Sequence, residues 1–309
     1  MVPFSSPSNL HGQPTPPSIG VGLRHAHYDQ ALSDNNSNQD IDFVELHAEN
    51  FFAKGGIARE LLIDVSEKYA VSIHGTSLGL GSNLPVPQDV LRRFVEVVKL
   101  TNASLVSEHL CFNRAQVGQK TLHSGDLLPL AYNQQSLDIL SNNIEQVQTR
   151  LKRPMLIENL SAYVDVASID PLQADDYTEF EFLIALCKKA GCGLLLDLNN
   201  LIVNALNQKQ DNLLTHIGDK LKTLPAELVG EIHLAGFSQN QVNGFIVDDH
   251  ANSVSQQCWS LYKLTLELFG PKPSLIEWDN ALPTWDVLVN EARTARQITA
   301  NYLRDIDQQ

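Results

Sequence analysis

Cysteine is scarce in this chain of 309 residues. The four present, Cys111, Cys187, Cys192 and Cys258, form no C-x-x-C pair. A disulfide-built scaffold and thiolate-held zinc or iron–sulfur sites are therefore disfavoured, and the thiols read as reduced and structural. Long apolar runs are missing too. No stretch approaches the roughly 20 consecutive apolar residues of a membrane helix, and the opening MVPFSSPSNLHGQPTPPSIG has neither the basic start nor the apolar core of a secretion signal. A cytoplasmic protein is expected, with a disordered leader over residues 1–17 and a single domain over 18–309. Basic charge is in deficit: 22 Lys and Arg against 36 Asp and Glu leave a net charge of −14, a field that repels phosphate backbones and anionic lipid. Neither nucleic acid nor a membrane is expected as a partner. No G-x-G-x-x-G or P-loop follows the first apolar run, and the glycine-rich HGTSLGLGS, His74 to Ser82, lacks the lysine and spacing of a phosphate cradle.

What the chain does have is a regular beat. Apolar or β-rich runs occur at SIGVGLR, IDFVELHAEN, YAVSIHGTSL, ASLVSEHL, RPMLIENL, CGLLLDLNN, LVGEIHLAGF and PSLIEWD. Between many of them lie segments with apolar residues at three- and four-residue steps, such as ARELLIDVSEKY, PQDVLRRFVEVVKLT and TEFEFLIALCKKAG, the period of amphipathic helices. Gly191, after Lys188-Lys189, and Gly270-Pro271 read as helix stops. Eight such strands alternating with helices, each strand apolar on both faces, predict a (β/α)8 TIM barrel rather than a doubly wound open sheet.

Barrel active sites lie at the C-terminal ends of the strands. Here those ends carry Glu45, His47 and Glu49; His74; Glu108 and His109; Glu158 and Asn159; Asp197, Asn199 and Asn200; His233; and Glu277 and Asp279. A further segment, GFIVDDH, offers Asp248 and His250 two residues apart, on one face if it is extended. Asn199 likewise shares a face with Asp197 if the strand continues, although Asn199-Asn200 can equally be a turn. Several carboxylates and imidazoles gathered in one mouth require a cation, because buried carboxylates cannot all ionise unpaired. Mixed histidine and carboxylate donors suit iron, manganese or catalytic zinc, and Glu158 and Asp197, on adjacent strands, are placed to bridge two ions. A lone strand-end histidine is more often a hydrogen-bonded core residue, and His27 and His47 are read that way. Glu277 can alternatively pair with an arginine, and the acidic excess can be simple solvation.

The blocks GVGLRHAHY, ELHAENFF, SIHGTSLGLGS, VSEHLCF, DLLPLAY, LIENLSAY, GCGLLLDLNN, EIHLAGF, VDDH and LIEWD, in this order, closely resemble the multinuclear non-haem iron-dependent oxidases related to the iron enzyme of methanobactin biosynthesis. The resemblance runs from about Gly20 to near Arg293. It implies a xylose-isomerase-like TIM barrel holding two or three mixed-valent irons (Fe2+/Fe3+). His74, His109, Glu158, Asp197, His233 and Glu277 match the principal ligand motifs; Asp248 and His250, with Asn199 nearby, match the motif of a further iron. It also implies O2 as cosubstrate, catalysis around His74, His109 and Glu158, a cysteine-containing precursor peptide as substrate, and a separate leader-binding partner protein. Two departures bear on substrate choice rather than on metal: Phe237 stands where many relatives have a second histidine, and RHAHY replaces a proline-containing form after Arg24. Two other readings of the same residues are a divalent-metal sugar isomerase or phosphodiesterase on this barrel, and a non-enzymatic metal- or peptide-binding module.

Overall fold

Short runs of Val, Ile and Leu that are apolar on both faces can be satisfied only where both faces are covered, and the chain covers them by closing a barrel. The computed structural model describes residues 18–33, 36–164, 166, 174–240, 242 and 244–308; the expected leader lies outside these. The strands are β1 (Ile19–Gly22), β2 (Phe43–His47), β3 (Ala70–Gly75), β4 (Leu105–His109), β5 (Phe112–Val117), β6 (Lys120–Leu128), β7 (Leu156–Glu158), β8 (Gly193–Asp197), β9 (Val229–Leu234), β10 (Ser238–Gln239), β11 (Ile246–Val247) and β12 (Ser274–Ile276). The barrel order is β1-β12-β9-β8-β7-β4-β3-β2, and every pairing in it is parallel. All eight expected strands are barrel strands, and the (β/α)8 architecture is as the alternation implied.

The outer layer is helical: α1 (Tyr28–Leu32), α2 (Ile57–Lys68), α3 (Gln88–Leu100), α4 (Gln134–Leu151), α5 (Glu179–Ala190), α6 (Leu198–Asn207), α7 (Leu213–Leu221), α8 (Gln256–Phe269) and α9 (Trp285–Asp307). Local chemistry fixes their ends. Thr178 and Glu181 form a reciprocal capping box at the start of α5, which stops at Gly191 with φ 66°, a left-handed conformation that glycine adopts without a Cβ clash. Ser255 caps α8 through Cys258 N, and Gly270 at φ 68° ends it. Buried residues from β1 to α9 form one continuous core, including Ile73, Ile157, Leu196, Ile232 and Leu288. Among the described residues no helix is long and apolar enough to cross a membrane.

Three features depart from the sequence expectation. Asn199 and Asn200 do not extend β8: they form the first turn of α6, because the Asp197 side chain accepts from Asn200 N at 2.7 Å and so starts a helix. GFIVDDH is extended only over Ile246–Val247, which pairs antiparallel with Ser238–Gln239. Finally β5 and β6 form an antiparallel hairpin after β4, with Lys120–His123 all exposed.

Candidate metal centre

His74 is the penultimate residue of β3, His109 ends β4 and Glu158 ends β7, and the register sets them side by side: His109 pairs with Glu158, and His74 with Ser107 two residues below His109. His74 Nε2 lies 3.3 Å from His109 Nε2 and 3.3 Å from Glu158 Oε2, and His109 Nε2 lies 3.5 Å from the same oxygen. The other ring nitrogens are occupied elsewhere. His74 Nδ1 meets Ser107 Oγ at 2.7 Å, and His109 Nδ1 donates to the Gly75 carbonyl at 3.2 Å. A carbonyl only accepts, so His109 carries a proton on Nδ1, which leaves Nε2 as the nitrogen that faces Glu158.

Glu158 also reaches across to a second set with Asp197, His233 and Glu277. His233 Nδ1 is 3.0 Å from Glu277 Oε2 and 3.9 Å from Glu158 Oε1. Asp197 pairs with His233 in the β8–β9 register. Beyond Asp197 lies a third set: Asp248 Oδ1 is 2.8 Å from His250 Nε2 and accepts from Asn199 Nδ2 at 2.7 Å. The expected proximity of Asp248 and His250 is real but has another cause. The segment is not extended; His250 sits at φ 46°, a left-handed turn that folds its ring back onto Asp248. Asn199 arrives from a helix rather than along the strand. The structure thus brings together His74, His109, Glu158, Asp197, Asn199, His233, Asp248, His250 and Glu277.

A cation fits these donors. Metal–nitrogen and metal–oxygen bonds of about 2.0–2.2 Å put neighbouring ligand atoms about 3.0–3.5 Å apart, the spacing found in the first set. Glu158 Oε2, Asp197 Oδ2, Asn199 Oδ1 and His233 Nε2 are buried without hydrogen-bond partners, an unusual density of orphaned polar atoms. Electrostatics tell the same story. Burial, then its neighbour Asp197, pushes the Glu158 carboxyl well above its ordinary range. Burial, then Asp248, lifts Asp197 to about 7. Against burial, Glu158 and Glu108 raise His109 to about 9, while burial and then His109 force His74 well below its usual value. Carboxylates buried together in this way stay ionised only beside a cation, and otherwise hold protons.

Neighbours of the donors were only partly visible in the sequence. Arg24 Nε and Nη2 bind Asp279 Oδ1 at 2.6 and 2.5 Å, Nη2 lies 3.6 Å from Glu277, and Asp279 Oδ2 stands 3.3 Å from His250 Nδ1. Glu277 therefore does pair loosely with an arginine, as well as facing the donor cluster. His27 Nε2 donates to the Pro283 carbonyl at 2.9 Å, in keeping with a hydrogen-bonded role, whereas His47 both meets Arg24 Nη2 at 3.0 Å and stands with Glu45 and Glu277 in a further group whose donor atoms are close enough to hold a cation. Glu231, mid-strand in β9, was not singled out; its two-residue spacing from His233 was the available signal. Cys111 is fully buried, and burial followed by Glu108 and Glu158 pushes its thiol well above the ordinary range. Phe237 packs against the core and takes no part in the donor sets. A groove of about 870 Å³ between Arg59, Lys99 and Arg150 lies on the outer helices and holds none of these donors.

A closed eight-stranded parallel barrel is a TIM-barrel fold, and the histidines and carboxylates gathered at its strand ends make this one a candidate metal site. Solved structures share that fold: D-psicose 3-epimerase with D-tagatose from Clostridium cellulolyticum (TM-score 0.57, 11% identity, 93% of this chain and 99% of that one), and endonuclease IV from Thermus thermophilus (TM-score 0.55, 13% identity, 94% and 100%). Residues 18–300 match the model of the RiPP precursor modification enzymes MbnB/TglH/ChrH, RiPPs being ribosomally synthesised and post-translationally modified peptides. UPF0276 proteins of Chromobacterium violaceum (38% identity over 283 residues, 92% of this chain and 95% of the relative) and Rhizobium meliloti (34% over 293 residues, 94% and 89%) are similar throughout. The chain belongs to the MbnB/TglH/ChrH family of peptide-modifying enzymes.

Proposed function

We propose that this protein is an O2-dependent iron oxidase that modifies a cysteine of a precursor peptide. The observation that carries the reading is the first donor set: two imidazole nitrogens and one carboxylate oxygen, 3.3–3.5 Å apart, with Glu158 shared by a second, oxygen-rich set. Two histidines and one carboxylate with open positions are the donor pattern of non-haem Fe(II) sites that use O2. Bound iron would supply a Lewis acid for a substrate thiolate and a redox partner for O2.

The chain's own part is orientation and charge. Ser107 and the Gly75 carbonyl hold His74 and His109 with Nε2 inward; Glu158 holds the two sets together; Asn199, Asp248 and His250 would take a further ion. All four cysteines of the chain are buried, and burial raises the thiol pKa of Cys111 and of Cys258, so that these two stay protonated beside the substrate thiol. The family supplies the precursor peptide; a separate protein that binds the peptide leader is part of the proposal. The test is to load the protein anaerobically with Fe(II), add the cysteine peptide encoded beside its gene and then air, and follow oxygen uptake and peptide mass. Oxygen consumption coupled to a mass change is expected. Stoichiometric zinc or manganese in the purified protein with no oxygen demand would overturn the oxidase reading in favour of isomerase or phosphodiesterase chemistry.

A further inference from the structure

The least explained atoms in the barrel lie beneath the donor sets. Glu45 and Glu231 are both 0% exposed, and none of their four carboxylate oxygens has a hydrogen-bond partner. They occupy a lower layer than the metal donors: Glu45 pairs with Gly22 and Ser72, while His47, two residues on, pairs with His74. Glu231 pairs with Leu195, two residues below the Asp197–His233 register. The ring of His233 separates the layers. Its Nδ1 faces Glu277 and Glu158; its Nε2 lies 3.2 Å from Glu45 Oε2 and 4.0 Å from Glu231 Oε1.

We infer that Glu45, backed by Glu231, is the positioning carboxylate of His233 and selects Nδ1 as the nitrogen presented to metal. A histidine ligand uses one nitrogen and gives the proton on the other to a carboxylate or carbonyl, which sets tautomer and ring angle together. The same geometry permits the inverse, with Nε2 binding an ion between Glu45 and Glu231. That arrangement would seat an ion in a layer without solvent access, with no open position for a reactant. Only the Nδ1 arrangement directs the histidine at Glu158, the residue common to both upper sets. It also gives the two buried acids a use: Glu45 Oε2, 3.2 Å from Nε2, is placed to take that proton when the ring is held by metal, and Glu231 stands behind it at 4.0 Å. Glu45 and Glu231 are thus positioning residues, acting through His233.

The inference rests on the metal-holding part of the proposed function and not on iron or oxygen, so zinc serves as the probe. In zinc-loaded protein carrying 15N-histidine, long-range 1H–15N correlations report which nitrogen of His233 is protonated, the signal being assigned by its loss in His233→Gln. A protonated Nε2 with a metal-bound Nδ1 is expected; a metal-bound Nε2 overturns the inference. Variants give a second reading by chelator competition. Glu45→Gln keeps an acceptor oxygen and should hold zinc within about threefold of the parent, whereas Glu45→Ala should weaken it about 10–100-fold. If Glu45→Gln loses zinc as completely as Glu158→Gln, Glu45 is itself a ligand and the inference fails. A protein that binds zinc with the expected tautomer but oxidises no peptide overturns the oxidase reading alone.

Discussion

Replacing Glu158 by glutamine should move stability in opposite directions with and without metal. Without metal, the Glu158 carboxylate is 2% exposed, its Oε2 has no hydrogen bond, and burial pushes its pKa well above the ordinary value. A buried acceptor left unsatisfied costs about 1–3 kcal/mol, more if charged. The amide carries no charge, and its N–H can donate to the lone pair of His74, 3.3 Å from Oε2. With an unfolding entropy of about 2.1 cal/mol/K per residue, 1 kcal/mol corresponds to about 1.5 °C for a chain of this length, so Glu158→Gln should raise Tm by about 2–5 °C. The sign depends on pH. A carboxyl whose folded pKa is raised carries no penalty below its unfolded value near 4.5, and the penalty grows as pH climbs toward the folded value. The gain should therefore be near zero at pH 4.5 and largest at pH 8. With Fe(II) at a hundred times its Kd the parent should gain about 2.7 kcal/mol, or roughly 4 °C, and the variant much less. Differential scanning fluorimetry under nitrogen, with and without Fe(II), measures both. A variant that melts below the parent without metal, or responds to Fe(II) equally, would refute the reasoning.

Other outcomes follow from the same geometry. Asp248→Asn should lower the iron-to-protein ratio by about one ion and leave the set around His74 loaded, while Glu158→Gln should remove more than one; elemental analysis of reconstituted protein decides. Asp197, raised to about 7 by burial and then Asp248, and Glu158, also raised by burial, must lose protons when a cation enters. Titration calorimetry in buffers of different ionisation enthalpy should show proton release at pH 7 and affinity rising from pH 6 to 8; a flat or falling affinity contradicts this. Gly79→Ala places a methyl at φ +54°, 1.9 Å from Asn113 Oδ1, so it should cost about 1–3 kcal/mol by displacing the base of the β5–β6 hairpin, read as a Tm drop of about 2–5 °C.

The barrel was legible because its strands are apolar on both faces, so runs such as GLLLD could be recognised without alternation. The polar residues at or next to their C-terminal ends, His74, His109, Glu158, Asp197 and His233, then pointed to one rim. The hairpin escaped because β6, KTLHSGDLL, is exposed along most of its length and carries no burial pattern. The two helices after β8 escaped because Asp197 followed by Asn199-Asn200 looks like a turn, when Asp197 is both donor and helix cap. Asp248 and His250 were paired for the wrong geometric reason, since spacing along a chain cannot reveal a left-handed residue. Glu231 was hidden inside an apolar strand, where only its register two residues below His233 gives it meaning.

The central claim is that the strand-end donors hold metal together as a set. Crystals grown from protein loaded anaerobically with Fe(II), measured on both sides of the iron absorption edge, test it most directly. Anomalous peaks between His74, His109 and Glu158, and between Glu158, Asp197, His233 and Glu277, are expected. Iron-loaded crystals with no peak at these residues, or with peaks only at the protein surface, would contradict it.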